Sequence, residues 1–106
     1  MKRGDIYWVN LDPAVGSEIK KKRPCVILTN DSIIRGRNNI TVVPLSSQAT
    51  IRPPLVVSVT CQGREVGAVC DQIRTVDKSR LLSLIEAMDH HMITNIEEGM
   101  RRVLSL

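Results

Sequence analysis

Short runs of β-forming residues, broken every few positions by turn residues, fill most of this chain, and only its last stretch repeats with a helical period. Residues 6–11 (Ile-Tyr-Trp-Val-Asn-Leu) form the first such run, closed by Asp12-Pro13. A polar loop over 13–22 follows. Residues 24–29 make a continuous apolar strand of the kind buried on both faces. Asn30-Asp31-Ser32 is suited to cap a short helical turn ending near Gly36. Further strands are expected over 40–45, 55–59 and 66–73, with a polar loop over 46–54 closed by Pro53-Pro54 and a turn over 61–64. Residues 79–88 are ambiguous, with Leu84-Ile85 as a short last strand. Asp89 then reads as an N-cap. Met92, Ile93, Ile96, Met100, Val103 and Leu104 recur at helical spacing, with Glu97, Glu98, Arg101 and Arg102 opposite, for a helix of about four turns. The pattern implies one domain over 1–106, mainly β with short helices (α+β): a small β-barrel or curled sheet with a C-terminal helix packed on it.

The core of such a fold has to be aliphatic, because the chain has no Phe and only Tyr7 and Trp8 as aromatics. Extensive base-stacking platforms are excluded for the same reason. Cys25, Cys61 and Cys70 have no CxxC or CxxH spacing, so a zinc site is not expected. Cys25 and Cys70 lie in apolar runs and read as small buried hydrophobes. Their odd number and the lack of a secretory signal point to the cytoplasm, and no apolar stretch approaches membrane-spanning length.

Charge is unevenly placed. Residues 1–53 carry nine basic and four acidic side chains (net +5), and 54–106 carry six and seven (net −1). A net charge of +4 fits either a mildly basic surface or an anionic partner bound by the N-terminal half, of which nucleic acid is the commonest kind. Arg23 precedes Pro24, which disfavours the helical basin and holds Arg23 extended. A guanidinium held at a strand mouth suits bidentate phosphate binding, and Lys20, Lys21 and Lys22 add positive charge beside it. Ser46, Ser47 and Gln48 end the third strand and offer hydroxyls and an amide to a phosphate. Asp71 follows an apolar run, where a carboxylate needs a partner or a functional reason; Glu18 is ambiguous in the same way. His90 and His91 open the last helix, away in sequence from any serine candidate, so a Ser-His pair is not supported. No acidic or histidine cluster has metal-ligand spacing, so no metal is expected.

Four segments taken together resemble the MazF/PemK/Kid family of toxins from bacterial toxin–antitoxin pairs. They are Arg3-Gly4-Asp5-Ile6-Tyr7-Trp8-Val9-Asn10-Leu11-Asp12-Pro13; Gly16-Ser17-Glu18 with Arg23-Pro24 and Val26-Ile27-Leu28-Thr29-Asn30; Val43-Pro44-Leu45-Ser46-Ser47; and Asp71-Gln72-Ile73-Arg74-Thr75-Val76-Asp77. The resemblance runs from Lys2 to the last helix. It implies an SH3-like curled sheet of the MazF/CcdB type, and a toxin acting as a sequence-specific, metal-independent endoribonuclease on single-stranded RNA. The products implied are a 2′,3′-cyclic phosphate and a 5′-hydroxyl, with no cofactor. The implied partners are a cognate antitoxin and a second copy of the chain in a homodimer, with DNA reached only through the antitoxin and no membrane. The alternative within the same fold is a non-catalytic, CcdB-like binder of DNA gyrase. Carried over by residue, the resemblance makes Arg23 and Ser46 catalytic, and Glu18, Lys20, Ser47, Gln48, Asp71 and Gln72 substrate contacts. Val69 and Ser17 stand where some members carry an Arg and a His, so chemistry built on those two is not available here.

Overall fold

Seven strands in the order β4-β5-β3-β2-β1-β7, with β6 on β3, form a curled antiparallel sheet in the computed structural model, which describes residues 1–106. The strands are β1 (Asp5–Asn10), β2 (Lys22–Ile27), β3 (Asn39–Ser46), β4 (Val56–Cys61), β5 (Arg64–Val69), β6 (Arg74–Asp77) and β7 (Leu81–Ala87), with helices α1 (Asp31–Gly36) and α2 (His90–Leu104). The caps read from the sequence are in place. Asn30 accepts from the Ser32 amide and Asp89 from the His91 amide.

The central strands carry core on both faces. Val26 of β2 belongs to a cluster beneath α2 with Ile6, Val43, Leu45 and Ile96, whereas Cys25 and Ile27 point into a second cluster with Val9, Ile40 and Val42. An aliphatic core thus closes without Phe, as the composition required. Gly99 lets α2 settle close, since a Cβ there would lie 3.1 Å from Cys70 Sγ.

Several boundaries differ from the sequence expectation. β2 begins at Lys22 rather than 24 and ends at Ile27 rather than 29, because its pairing with β1 runs back to Lys22 opposite Asn10. β4 extends through Cys61, which pairs with Arg64, so only Gln62 and Gly63 remain for the turn. β7 is a full strand of seven residues, paired along β1. Its Leu82 and Leu84 are exposed at a sheet edge, which is why alternation did not mark it.

The expected strand over 66–73 is two strands divided by a 3-10 turn, Cys70–Gln72. Both run along β3: Leu45 pairs with Ala68 and Val42 with Arg74. Three residues along β3 therefore match six along the β5–β6 segment, and the surplus of three equals the turn's length. Pro44, with no amide hydrogen to offer, lies in the gap between the two pairings. Asp71 is consequently not a carboxylate in a buried strand. It stands exposed on the turn while Cys70 points inward.

Candidate active site

Arg23 is the second residue of β2, so the pairing that fixes β1 against β2 also fixes its backbone. The β2–β3 register ends at Cys25 opposite Pro44, and beyond it Arg23 and Ser46 leave the ladder at the same end of the sheet. Arg23 and Ser47 line a cavity of about 630 Å³ together with Trp8, Lys22, Gln62 and Arg64. Three cations face this space and no carboxylate or imidazole lines it. Its floor includes Pro24, Leu45, Cys61 and Val66. The arrangement offers an anion a positively charged wall over an apolar base, where charge is less screened than on open surface.

The guanidinium of Arg23 is tethered. Its Nε donates to the Lys20 carbonyl at 3.2 Å, which leaves the terminal nitrogens for a ligand. Ser46 is half-buried and its Oγ accepts from the Gln48 amide at 3.2 Å, closing the turn after β3. Ser46 and Gln48 do not line the cavity, and neither does Lys20, whose ammonium is exposed on the loop.

The remaining acidic candidates gather elsewhere. Ser17, Glu18, Asp71, Gln72, Ile73 and Arg74 line a separate, shallower concavity between the β1–β2 loop and the 3-10 turn. Glu18 accepts from the Val15 amide at 2.6 Å and so braces its own loop. Gln72 Oε1 accepts from the Ile19 amide at 2.6 Å, with Arg74 approaching the same oxygen at 3.4 Å. Its Nε2 faces the Ser17 carbonyl at 3.4 Å. Gln72 thus latches the loop. His90 and His91 lie exposed at the start of α2 and line neither hollow.

Trp8, Gln62 and Arg64 were missed by the sequence reading. Trp8 is 38% exposed although it is two residues from buried Ile6. The two share one face, as alternation requires, with Tyr7 and Val9 packed on the other; Ile6 lies in the cluster beneath α2, whereas Trp8 lies beside Leu45, Cys61 and Val66 at the open cavity. Gln62 lies in the β4–β5 turn, where it and Gly63 both take positive φ, Arg64 follows directly, and the hairpin brings both over the cavity. Arg64 carried a legible signal, a cation beside a Gly turn, but no local pattern ties it to Arg23.

The thiols are held protonated by burial. Cys25 is pushed up to about 12, partly offset by the Arg74 charge. Cys70 rises to about 11 through burial and the neighbouring Asp71 carboxylate. Cys61, on the cavity floor, is raised by burial and by Glu86.

Residues 2–104 match the family model described as PemK-like, MazF-like toxin of type II toxin–antitoxin system. The endoribonuclease MazF9 of Mycobacterium tuberculosis is 36% identical over 115 aligned positions, spanning 100% of this chain and 98% of that protein. The endoribonuclease EndoA of Bacillus subtilis is 33% identical, spanning 100% and 96%. Among solved structures, MazF of Deinococcus radiodurans superposes with a TM-score of 0.88 at 19% identity, covering 100% of this chain and 97% of that one. A mycobacterial endoribonuclease in complex with its cognate antitoxin gives 0.81 at 18% identity, covering 100% and 96%.

Proposed function

The chain belongs to the PemK-like, MazF-like toxin family of type II toxin–antitoxin systems, and from that premise we propose that it cleaves single-stranded RNA at the Arg23 cavity without a metal. The observation that carries this is a tethered guanidinium in a cavity shared with two further cations and a serine hydroxyl. Its relatives MazF9 and EndoA are named endoribonucleases, and nothing in the cavity favours the gyrase-directed alternative.

The proposed reaction uses the RNA's own 2′-oxygen. That hydroxyl loses its proton as its oxygen bonds to phosphorus, the bond to the 5′-oxygen breaks, and that oxygen takes up a proton. The products are a 2′,3′-cyclic phosphate and a 5′-hydroxyl. Negative charge grows on the phosphoryl oxygens along this path. Arg23 meets it already oriented, so little reorganisation is needed. Ser46, next to the cavity-lining Ser47, is assigned to the scissile phosphate at the cavity's rim, with Ser47 as a contact inside it and Gln48 and Lys20 as contacts outside. Trp8 offers a ring face on which one base stacks. Glu18 and Asp71 are assigned to base edges rather than phosphate, since carboxylates repel phosphate and accept from exocyclic amines.

The protein is further proposed to work in the cytoplasm as a C2 homodimer, inhibited by a cognate antitoxin through which alone it meets DNA. A basic first half suits an acidic partner chain. Purified protein should cut long RNA in EDTA and leave cyclic-phosphate ends. Complete loss of cutting in EDTA, or 3′-hydroxyl products, refutes the chemistry. Inhibition of gyrase supercoiling with RNA left intact supports the alternative instead. A light-scattering mass near 12 kDa at micromolar concentration, that of one 11.8 kDa chain, refutes the dimer.

A further inference from the structure

The Lys20–Lys21 peptide group is bonded on both sides. Its carbonyl accepts from Arg23 Nε at 3.2 Å, and its amide, Lys21 N–H, donates to Asp12 Oδ1 at 2.9 Å. Lys21 itself adopts φ of 71°, the left-handed region that a residue with a Cβ seldom enters. Both backbone groups of Lys21 are taken up in holding it there, since its carbonyl accepts from the Leu11 amide at 2.9 Å. Asp12 is fixed in turn. Its amide donates to Asn10 Oδ1 at 3.1 Å, and its carbonyl accepts from the Arg80 guanidinium, which also donates to the Asn10 carbonyl at 3.2 Å.

Resting on the cleavage reading above, we infer that Asp12 is a positioning residue for Arg23, acting through the Lys20–Lys21 peptide. A carboxylate on the amide side polarises that peptide and strengthens its carbonyl as an acceptor. The carbonyl then takes the one guanidinium N–H that points back along the side chain and leaves the outward pair for phosphate. Asp12 also compensates the backbone strain at Lys21, because its hydrogen bond forms only while Lys21 keeps the conformation that turns the Lys20 carbonyl toward Arg23. Strained backbone beside a proposed catalytic group is thereby given a cause, and an exposed aspartate in the first strand's closing turn is given a task.

Single-turnover cleavage and amide exchange test the relay. Asp12→Ala should lower kcat roughly tenfold, the size of one charge-assisted hydrogen bond, with KM little changed. Asp12→Asn keeps an acceptor oxygen and should retain most of the rate. Lys21→Gly removes the strain and should restore much of the loss in Asp12→Ala, because glycine enters the left-handed region freely. In an Arg23→Lys background, which has no Nε–H to orient, Asp12→Ala should cost nothing further. The Lys21 amide should exchange faster in Asp12→Ala while amides of α2 keep their protection. Unchanged kcat in Asp12→Ala, an undiminished loss in the Arg23→Lys background, or no recovery with Lys21→Gly overturns the inference. The reading it rests on fails separately, if Arg23→Ala cleaves like wild type. The exchange result stands apart from cleavage altogether.

Discussion

The Arg23 cavity and the Glu18–Asp71 concavity are built by different means. The first is made mostly of strand residues: Trp8 on β1, Lys22, Arg23 and Pro24 on β2, Leu45 on β3, Cys61 on β4, and Arg64 and Val66 on β5, with only Ser47 and Gln62 on the adjoining turns. Ladder pairing sets their backbone positions, so the cavity is as rigid as the sheet. The second lies between a loop and a 3-10 turn, and one glutamine side chain joins the two. Its shape depends on a few local hydrogen bonds. In the cleavage proposed above, the Arg23 guanidinium, whose charge would meet the transition state, stands on the rigid side, and the carboxylates assigned to base edges stand on the adaptable side.

Substitutions at four positions and one pH series sharpen or break that contrast. Arg23→Ala should show the largest effect, a fall in cleavage rate of roughly 10²–10³ with the circular dichroism spectrum unchanged. Arg23→Lys should recover little, because a point charge does not reproduce the guanidinium fork. Trp8→Ala should raise KM by about tenfold or more, in line with roughly 1–3 kcal/mol for one stacked base, and Trp8→Phe should restore most of it. An equal loss of kcat with KM unchanged would move Trp8 out of a binding role. Ser46→Ala should cost roughly tenfold in kcat, about one hydrogen bond to a charged group. Asp71→Asn, on the adaptable side, should change the preferred cleavage sequence more than the rate, read by mapping cut ends in a mixed RNA pool. If it matches Arg23→Ala in rate loss, the division between the two hollows is wrong.

The smallest effect concerns the ground beneath the rigid side. Cys25, next to Pro24, keeps its proton in the fold up to about 12, whereas an unfolded thiol loses it near the ordinary value of 9.0. The unfolded chain therefore binds fewer protons in that interval, and stability is full below pH 9 and falls as pH rises toward 12. Denaturant midpoints measured from pH 8 to 11 should decline, and decline less in Cys25→Ala. Equal slopes would mean that the thiol does not titrate on unfolding as described.

The sequence announces what local rules control. The double-faced burial of β2, the Asp89 cap and the helical face of α2 each follow from residues adjacent in the chain. Arg23 is legible because Pro24 stands beside it. What stayed hidden depends on distant partners. The break at Cys70–Gln72 is set by how β5 and β6 share β3, and the cavity that Trp8 lines is completed by Leu45, Cys61 and Val66, which are far from it in the chain. Gln72 acting as a latch could not be seen for the same reason, since its partner Ile19 lies 53 positions earlier.

The three-residue surplus between β5 and β6 also bears on how this chain tolerates insertions and deletions. Substitutions at exposed Asp71 leave the pairing untouched. Removing one residue from the turn has to be absorbed by the strands, and a one-residue slip of β6 would turn buried Val76 toward water and bring exposed Thr75 inward. Adding one residue would lengthen the arm that carries Gln72 and draw the latch away from Ile19. The turn is thus permissive at 71, between a buried Cys70 and a latching Gln72, and strict in length, so viable variants of this toxin should vary in side chain at 71 and keep the spacing from Ala68 to Arg74 constant.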